Sequence, residues 1–303
     1  MLTYTKRRNR FGKLTGDESS SNLTLGDELM NDADRRILAS KVYNFGLVTR
    51  SFTTTANQSS LTLPHSVRKV NNIFLLIGST RYDMTQIHSR EKWIELTLTP
   101  NDSATYPDYF YVQGSRIEFY PIISDASNTI TVEYVKRQKD LSVADYSTGT
   151  ISAIANGDTT VTGSGTSWTS QMAGRYIRIT DGDASGSGDG EWYEIASVTS
   201  TTELELVTAY QGTTIAAGSS TYTIGQVSDL PEEYQEISLW DALYTYWSTG
   251  QNPQLERADR AKNARDTLLI QMRQDYSLDT GDIGIGGYDE PLLNSNNYPQ
   301  SVG

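Results

Sequence analysis

Two segments with helical periodicity, Leu25–Lys41 and Pro231–Tyr276, bracket about 190 residues that read almost entirely as short β-strands and turns. Neither helical segment is long enough to bury a core alone. The reading is therefore that they pack on each other and carry the β-rich middle as an insertion. The fold class expected is α+β: a small helical base, built from an N-terminal helix plus a C-terminal αα-hairpin, with two inserted antiparallel β-modules, each a sandwich or small barrel.

Several function classes fall away on composition. The 303 residues include no cysteine, which removes disulfides, thiol nucleophiles and thiolate metal sites together. Only His65 and His88 could supply imidazole chemistry or a zinc ligand. Net charge is -12, with a sequence pI near 4.7, which opposes DNA binding by phosphate neutralisation but suits a wall that DNA slides past. No apolar run approaches the roughly 20 residues of a membrane span, and the basic opening MLTYTKRRNRFGKL has no apolar stretch behind it, so neither a membrane helix nor a secretory signal is expected. Tyrosine dominates the aromatics, 19 against 6 Phe and 5 Trp; its apolar body and polar tip suit half-wet subunit interfaces as well as ordinary β-structure.

Along the chain, residues 1–22 read as a flexible basic arm whose cations are Lys6, Arg7, Arg8, Arg10 and Lys13. Residues 23–44 and 228–277 form the helical base. In its first helix Leu25, Leu29, Ala33 and Ile37 recur every four residues, with Thr24 or Ser21 as the cap. Residues 45–147 alternate with period two in runs such as KWIELTLTP, RIEFYP and TITVEYVKR, the pattern of a first β-domain; the stretch QIHSREKW around His88 suits a short helical crossover. Residues 148–227 form a second, acidic β-module, in which eight acidic side chains against two arginines leave a net charge of -6. An αα-hairpin follows, in which Ile237, Trp240, Leu243, Tyr244 and Trp247 line one face, Asn252 caps the second helix and Pro253 opens it. Residues 278–303 read as an extended tail.

Chemical motifs are scarce. Asp181, Asp183, Ser185 and Asp189 imitate the first nine positions of an EF-hand loop, but the closing bidentate Glu is replaced by Trp192 and the flanks are strands, so a glycine-rich hairpin tip is favoured over calcium. The glycines of GDIGIGG at 281–287 follow a helix rather than a strand, which removes the phosphate-cradling geometry. No P-loop or nucleophile elbow is present, and no cofactor is expected. A glycosidase-type carboxylate pair is compatible with the acid content and stays open at this point.

The order of elements resembles the head-to-tail connector (adaptor or head-completion) proteins of tailed bacteriophages. The resemblance lies in TLGDELMNDADRRIL, in YPDYFYVQGSRIEFYPIISDASNTITVEYVKRQKDLS, in TTVTGSGTSWTSQMAGRYIRI and GEWYEIASVTSTTELEL, and in YTIGQVSDLPEEY followed by WDALYTYW. It implies a structural, non-enzymatic virion protein at the head–tail interface, assembled in the host cytoplasm as a homo-oligomeric ring, typically of twelve copies. Its implied partners are the portal protein, downstream tail or neck proteins, and genome DNA passing through the lumen without sequence-specific binding; no membrane is involved. Tyr288, Leu292, Leu293 and Tyr298, apolar anchors spaced in a polar tail, are candidates to contact the portal. The competing readings are another neck component such as a stopper or gatekeeper, or a tail-associated glycan-binding or cell-wall-degrading protein.

Overall fold

The structure, a computed structural model, describes residues 1–98, 106–181, 188–249 and 253–276. Helices α1 (Tyr4–Thr15) and α2 (Ser20–Ser40) lead into strands β1 (Leu47–Thr53), β2 (Gln58–Thr62), β3 (Val67–Ile77), β4 (Thr80–Asp83) and β5 (Thr85–Gln86). Helix α3 (Arg90–Leu98) precedes β6 (Tyr109–Gln113), β7 (Arg116–Ile123) and β8 (Thr129–Lys136). Strands β9 (Thr150–Ala153), β10 (Thr160–Ser164), β11 (Tyr176–Ile179), β12 (Trp192–Ser200), β13 (Glu203–Leu206) and β14 (Tyr222–Gly225) follow, and α4 (Glu236–Thr249) and α5 (Leu255–Tyr276) close the described chain. The fold is α+β with β-modules, as the periodicities imply.

The segment expected as a flexible arm is instead a capped, packed helix. Thr3 accepts the Lys6 amide at the start of α1, and Gly16, at φ +75°, ends it in the left-handed conformation that glycine adopts without strain. Its buried stripe is Tyr4, Arg7 and Phe11, and because a buried arginine holds the middle position the sequence shows no apolar period there. Helix α2 starts earlier than its leucines suggest, with Ser19 as the cap rather than Ser21 or Thr24. Its buried face is Asn22, Gly26, Met30, Ala33, Asp34 and Ile37, whereas Leu25 is exposed. Gly26 sets this rotation. A Cβ there would lie 2.4 Å from Phe11 Cδ1, so only glycine lets the Phe11 ring lie against the α2 backbone.

Helix α4 lies between α2 and α5 and packs on both. Ala258 and Ala261 let α5 approach α4 closely, and Asp241 on α4 bridges Arg36 of α2 and Arg265 of α5. Asn252 lies outside the described residues; Gln254 meets the α4 end through its amide on the Trp247 carbonyl, at 2.9 Å.

The first β-module is a sandwich of two four-stranded sheets, ordered β1-β8-β3-β4 and β2-β7-β6-β5. Inward residues at alternate positions, such as Ile117, Phe119 and Ile123 of β7 and Ile130, Val132 and Tyr134 of β8, fill the space between them. The module is not wholly antiparallel, because β5 pairs with β6 in parallel. KWIELTL is also not a strand but lies in α3, where Trp93 alone is buried and Thr97 bonds back to the Trp93 carbonyl.

The second module is a single sheet, ordered β14-β11-β12-β13-β10-β9. Antiparallel bridges Tyr146↔Ile224, Ile151↔Ser220 and Ile154↔Ile215 join the chain before β10 to β14 and the chain entering it, which closes the sheet into a small barrel. Trp168 fills the barrel and donates its indole N–H to Tyr222 Oη at 2.9 Å, which in turn donates to the Thr148 carbonyl.

Candidate functional site

Two linkers join the barrel to the rest, one leaving β8 and one returning to α4. Both are held by the first turn of α1. The Tyr4 amide donates to the Gln226 carbonyl at 2.8 Å, and Thr3 Oγ1 donates to Asp145 Oδ2 at 2.6 Å. Gln226 Oε1 accepts the amides of Ser142 and Val143, tying the outgoing linker to the returning one. Lys136 Nζ adds an ion pair to Asp229 at 2.6 Å.

Beneath the linkers lies a buried polar hub. Arg7 and Asp34 side chains are 1% and 0% exposed, and Arg7 Nη1 donates to Asp34 Oδ2 at 2.7 Å. Arg7 Nη2 donates to Asn31 Oδ1 at 2.6 Å, while Asn31 holds both the amide and the carbonyl of Leu141 in the outgoing linker. Ser228 of the returning linker donates to Asp34 Oδ1 at 3.0 Å. Burial pushes the Asp34 carboxyl above its ordinary value, against the opposing pull of Arg7 and the serine hydroxyls. One ion pair thus connects α1, α2 and both linkers, so the placement of the barrel on the base depends on it.

The cations assigned to a basic arm are mostly engaged within the fold. Lys6 sits 5.4 Å over the Trp192 ring of the barrel, Arg8 pairs with Asp27 at 3.5 Å, and Arg10 pairs with Glu236 of α4. Arg7 is in the hub, and Lys13 lies in the last turn of α1, where the helix dipole favours it. Of the calcium-like set, Asp183 and Ser185 lie outside the described residues. Asp189 accepts from the Glu191 amide and the Tyr193 hydroxyl, the bonding of a hairpin support. Among the described residues no group of His, Asp and Glu is arranged to hold a metal ion, and no helix is long and apolar enough to cross a membrane. Tyr288, Leu292, Leu293 and Tyr298 lie outside the described residues.

Two surfaces are left. On the base, α1–α2 form one flank and α5 the other, with α4 between them. The first flank exposes Leu14 and Leu25, the second Leu255 and Ile270. Helix α5 buries only Ala258, Ala261 and Met272 of its 22 residues, leaving a long face of alternating charge uncovered within the protomer. The second surface is a cleft of about 990 Å³ at the end of the sandwich nearest α2, where the β2–β3, β6–β7 and β8 ends meet. Both histidines of the chain line it.

The match to known families decides the class. The family model for the SU10 adaptor protein covers residues 3–158, just over half the chain, from α1 through the sandwich into the start of the barrel. The chain belongs to that adaptor family. It is therefore a phage structural adaptor and a virion component, and its family assembles with portal and tail proteins. No curated protein matches the chain. The residues that make this adaptor's hub form no motif in the sequence. Their only trace is that Arg7 and Asp34 fall at buried helical spacings, where a charged side chain implies a partner.

Proposed function

We propose that the protein is a head-to-tail adaptor that closes into a ring between the portal and the tail, typically of twelve copies, and lines the DNA exit channel. The observation that carries this reading is the pair of unlike flanks on the helical base. A closed ring needs heterologous contacts, in which one surface of a protomer meets a different surface of its neighbour. Here Leu14 and Leu25 on one side and the uncovered face of α5 on the other supply two such surfaces, separated by α4. The net charge of -12 suits a lumen that repels and passes the phosphate backbone rather than gripping it. The tail anchors Leu292, Leu293 and Tyr298 are proposed to reach the portal.

The test is sedimentation of the full chain with and without portal rings. Co-sedimentation that is lost in a Leu255→Glu/Ile270→Glu variant supports the ring. Unchanged co-sedimentation of that variant removes α5 as a subunit contact. Cleavage of cell-wall polymer by the wild-type chain would favour the tail-associated hydrolase reading instead.

A further inference from the structure

The cleft at the end of the sandwich has a composition opposite to that of the whole chain. Arg68, Lys69, Arg137, His65 and His88 line it over an apolar floor of Leu63, Val67, Val70 and Val112, and no Asp or Glu is among its described lining residues. In a protein of net charge -12 this is a local reversal of sign. Arg68 is fixed in place, because its guanidinium caps the end of α2 through the Leu38 and Ala39 carbonyls. Lys69 and Arg137 point to solvent at the rim. Such a site takes carboxylates on an extended chain that also carries an apolar side chain for the floor.

The chain holds a segment of that description. Residues 277–303 contain Asp279, Asp282, Asp289 and Glu290 with Ile283, Ile285 and Tyr288 among them, and no lysine or arginine. Its point of departure is close to the cleft. Tyr276 ends α5 with its ring 5.5 Å from Phe45, Phe45 stacks at 5.2 Å on Tyr43, and Tyr43 follows the α2 end whose Leu38 and Ala39 carbonyls Arg68 caps. The stretch from Tyr276 to Asp289 reaches about 40 Å when extended and about 20 Å as a random coil.

We propose that residues 279–290 of the protein's own C-terminal segment dock in the cationic cleft of the same protomer, Tyr288 on the apolar floor and the carboxylates on Lys69, Arg137 and the histidines. This goes beyond ring assembly and does not depend on it. It reassigns Tyr288 to the protomer and leaves Leu292, Leu293 and Tyr298 to an outside partner. Duplex DNA is the disfavoured occupant, because the chain's net charge of -12 opposes a phosphate backbone.

The absence of native cysteine makes the test direct. In the full-length chain, Lys69→Cys/Asp289→Cys is compared with Lys262→Cys/Asp289→Cys, whose first site is exposed on α5. Under mild oxidation the cleft pair should close an intramolecular disulfide about tenfold faster than the control pair, reflecting a raised local concentration. High salt, or an added His65→Glu/Arg137→Glu change with the circular dichroism spectrum unaltered, should bring it to the control rate. Equal rates for the two pairs, a rate insensitive to salt and charge reversal, or disulfides formed mainly between chains would each overturn the proposal. Protection of Lys69→Cys from maleimide by a DNA duplex would overturn it in favour of nucleic acid.

Discussion

The Arg7–Asp34 pair allows a quantitative test of how the β-modules are held on the base. Breaking a buried pair by removing one partner costs about 3–5 kcal/mol, because the remaining charge has no solvent and no counterion. The two halves differ in their escape. Without Arg7, Asp34 can take up a proton and keep its hydrogen bond with Ser228, whereas without Asp34 the guanidinium cannot lose its charge and keeps only Asn31. Asp34→Asn should therefore lower stability at pH 7 by about 3–5 kcal/mol and Arg7→Met by less. The double variant Arg7→Met/Asp34→Leu should lie within about 1–2 kcal/mol of wild type, far from the sum of the single losses, since apolar replacement of a whole buried pair is often nearly neutral.

The pH dependence carries a sign. Asp34 is held above its ordinary value, so the folded chain binds that proton more tightly than the unfolded chain does. The stability linked to protonation is fully present below the unfolded value near about 3.9 and is lost as pH rises through the folded value. Wild-type stability should thus fall as pH rises through the folded value, a step that Asp34→Asn, with no carboxyl at this position, should lack. Urea midpoints read by tryptophan fluorescence give the stabilities, and hydrogen exchange of the Leu141 amide reports the linker contact itself. Additive losses in the double variant, or a Leu141 amide equally protected in all variants, would refute the hub as the joint.

Other expectations follow from single contacts. Tyr222→Phe leaves the indole N–H of Trp168, 2% exposed, without its acceptor and should destabilise the barrel by about 1–3 kcal/mol, read as an earlier melting phase with the helical base unaffected. Gly149→Ala should cost about 2 kcal/mol or more in the same assay, because φ is +81° and the new Cβ would lie 2.5 Å from the Ser164 carbonyl oxygen. Gly26→Val forces apart α1 and α2 at Phe11 and should cost about 1–3 kcal/mol by urea unfolding; no change would mean that the two helices do not meet there.

The sequence carried the architecture more readily than the joints. Period-two runs marked the sandwich strands because their alternate residues face one core, and Ala33 and Ile37, one turn apart, marked α2 because both lie on its buried face. Helix α1 was hidden because Arg7 occupies an apolar position, and charge alone reads as solvated. KWIELTL alternates like a strand, yet only Trp93 is buried, so its alternation served no sheet. Closure of the barrel rests on bridges between residues about 60 to 80 apart, a pairing that no local pattern encodes. The cationic cleft was invisible for a similar reason. His65 and His88 flank separate strands, and only the meeting of the β2–β3 and β5–α3 connections brings them to one opening.

The ring is tested most directly by negative-stain electron microscopy of the full chain mixed with portal rings of its own phage. A ring-forming adaptor should appear as closed rings seated on one pole of the portal, with symmetry measurable in class averages and abolished by Leu255→Glu/Ile270→Glu. Portal rings that stay bare beside isolated protomers would contradict it.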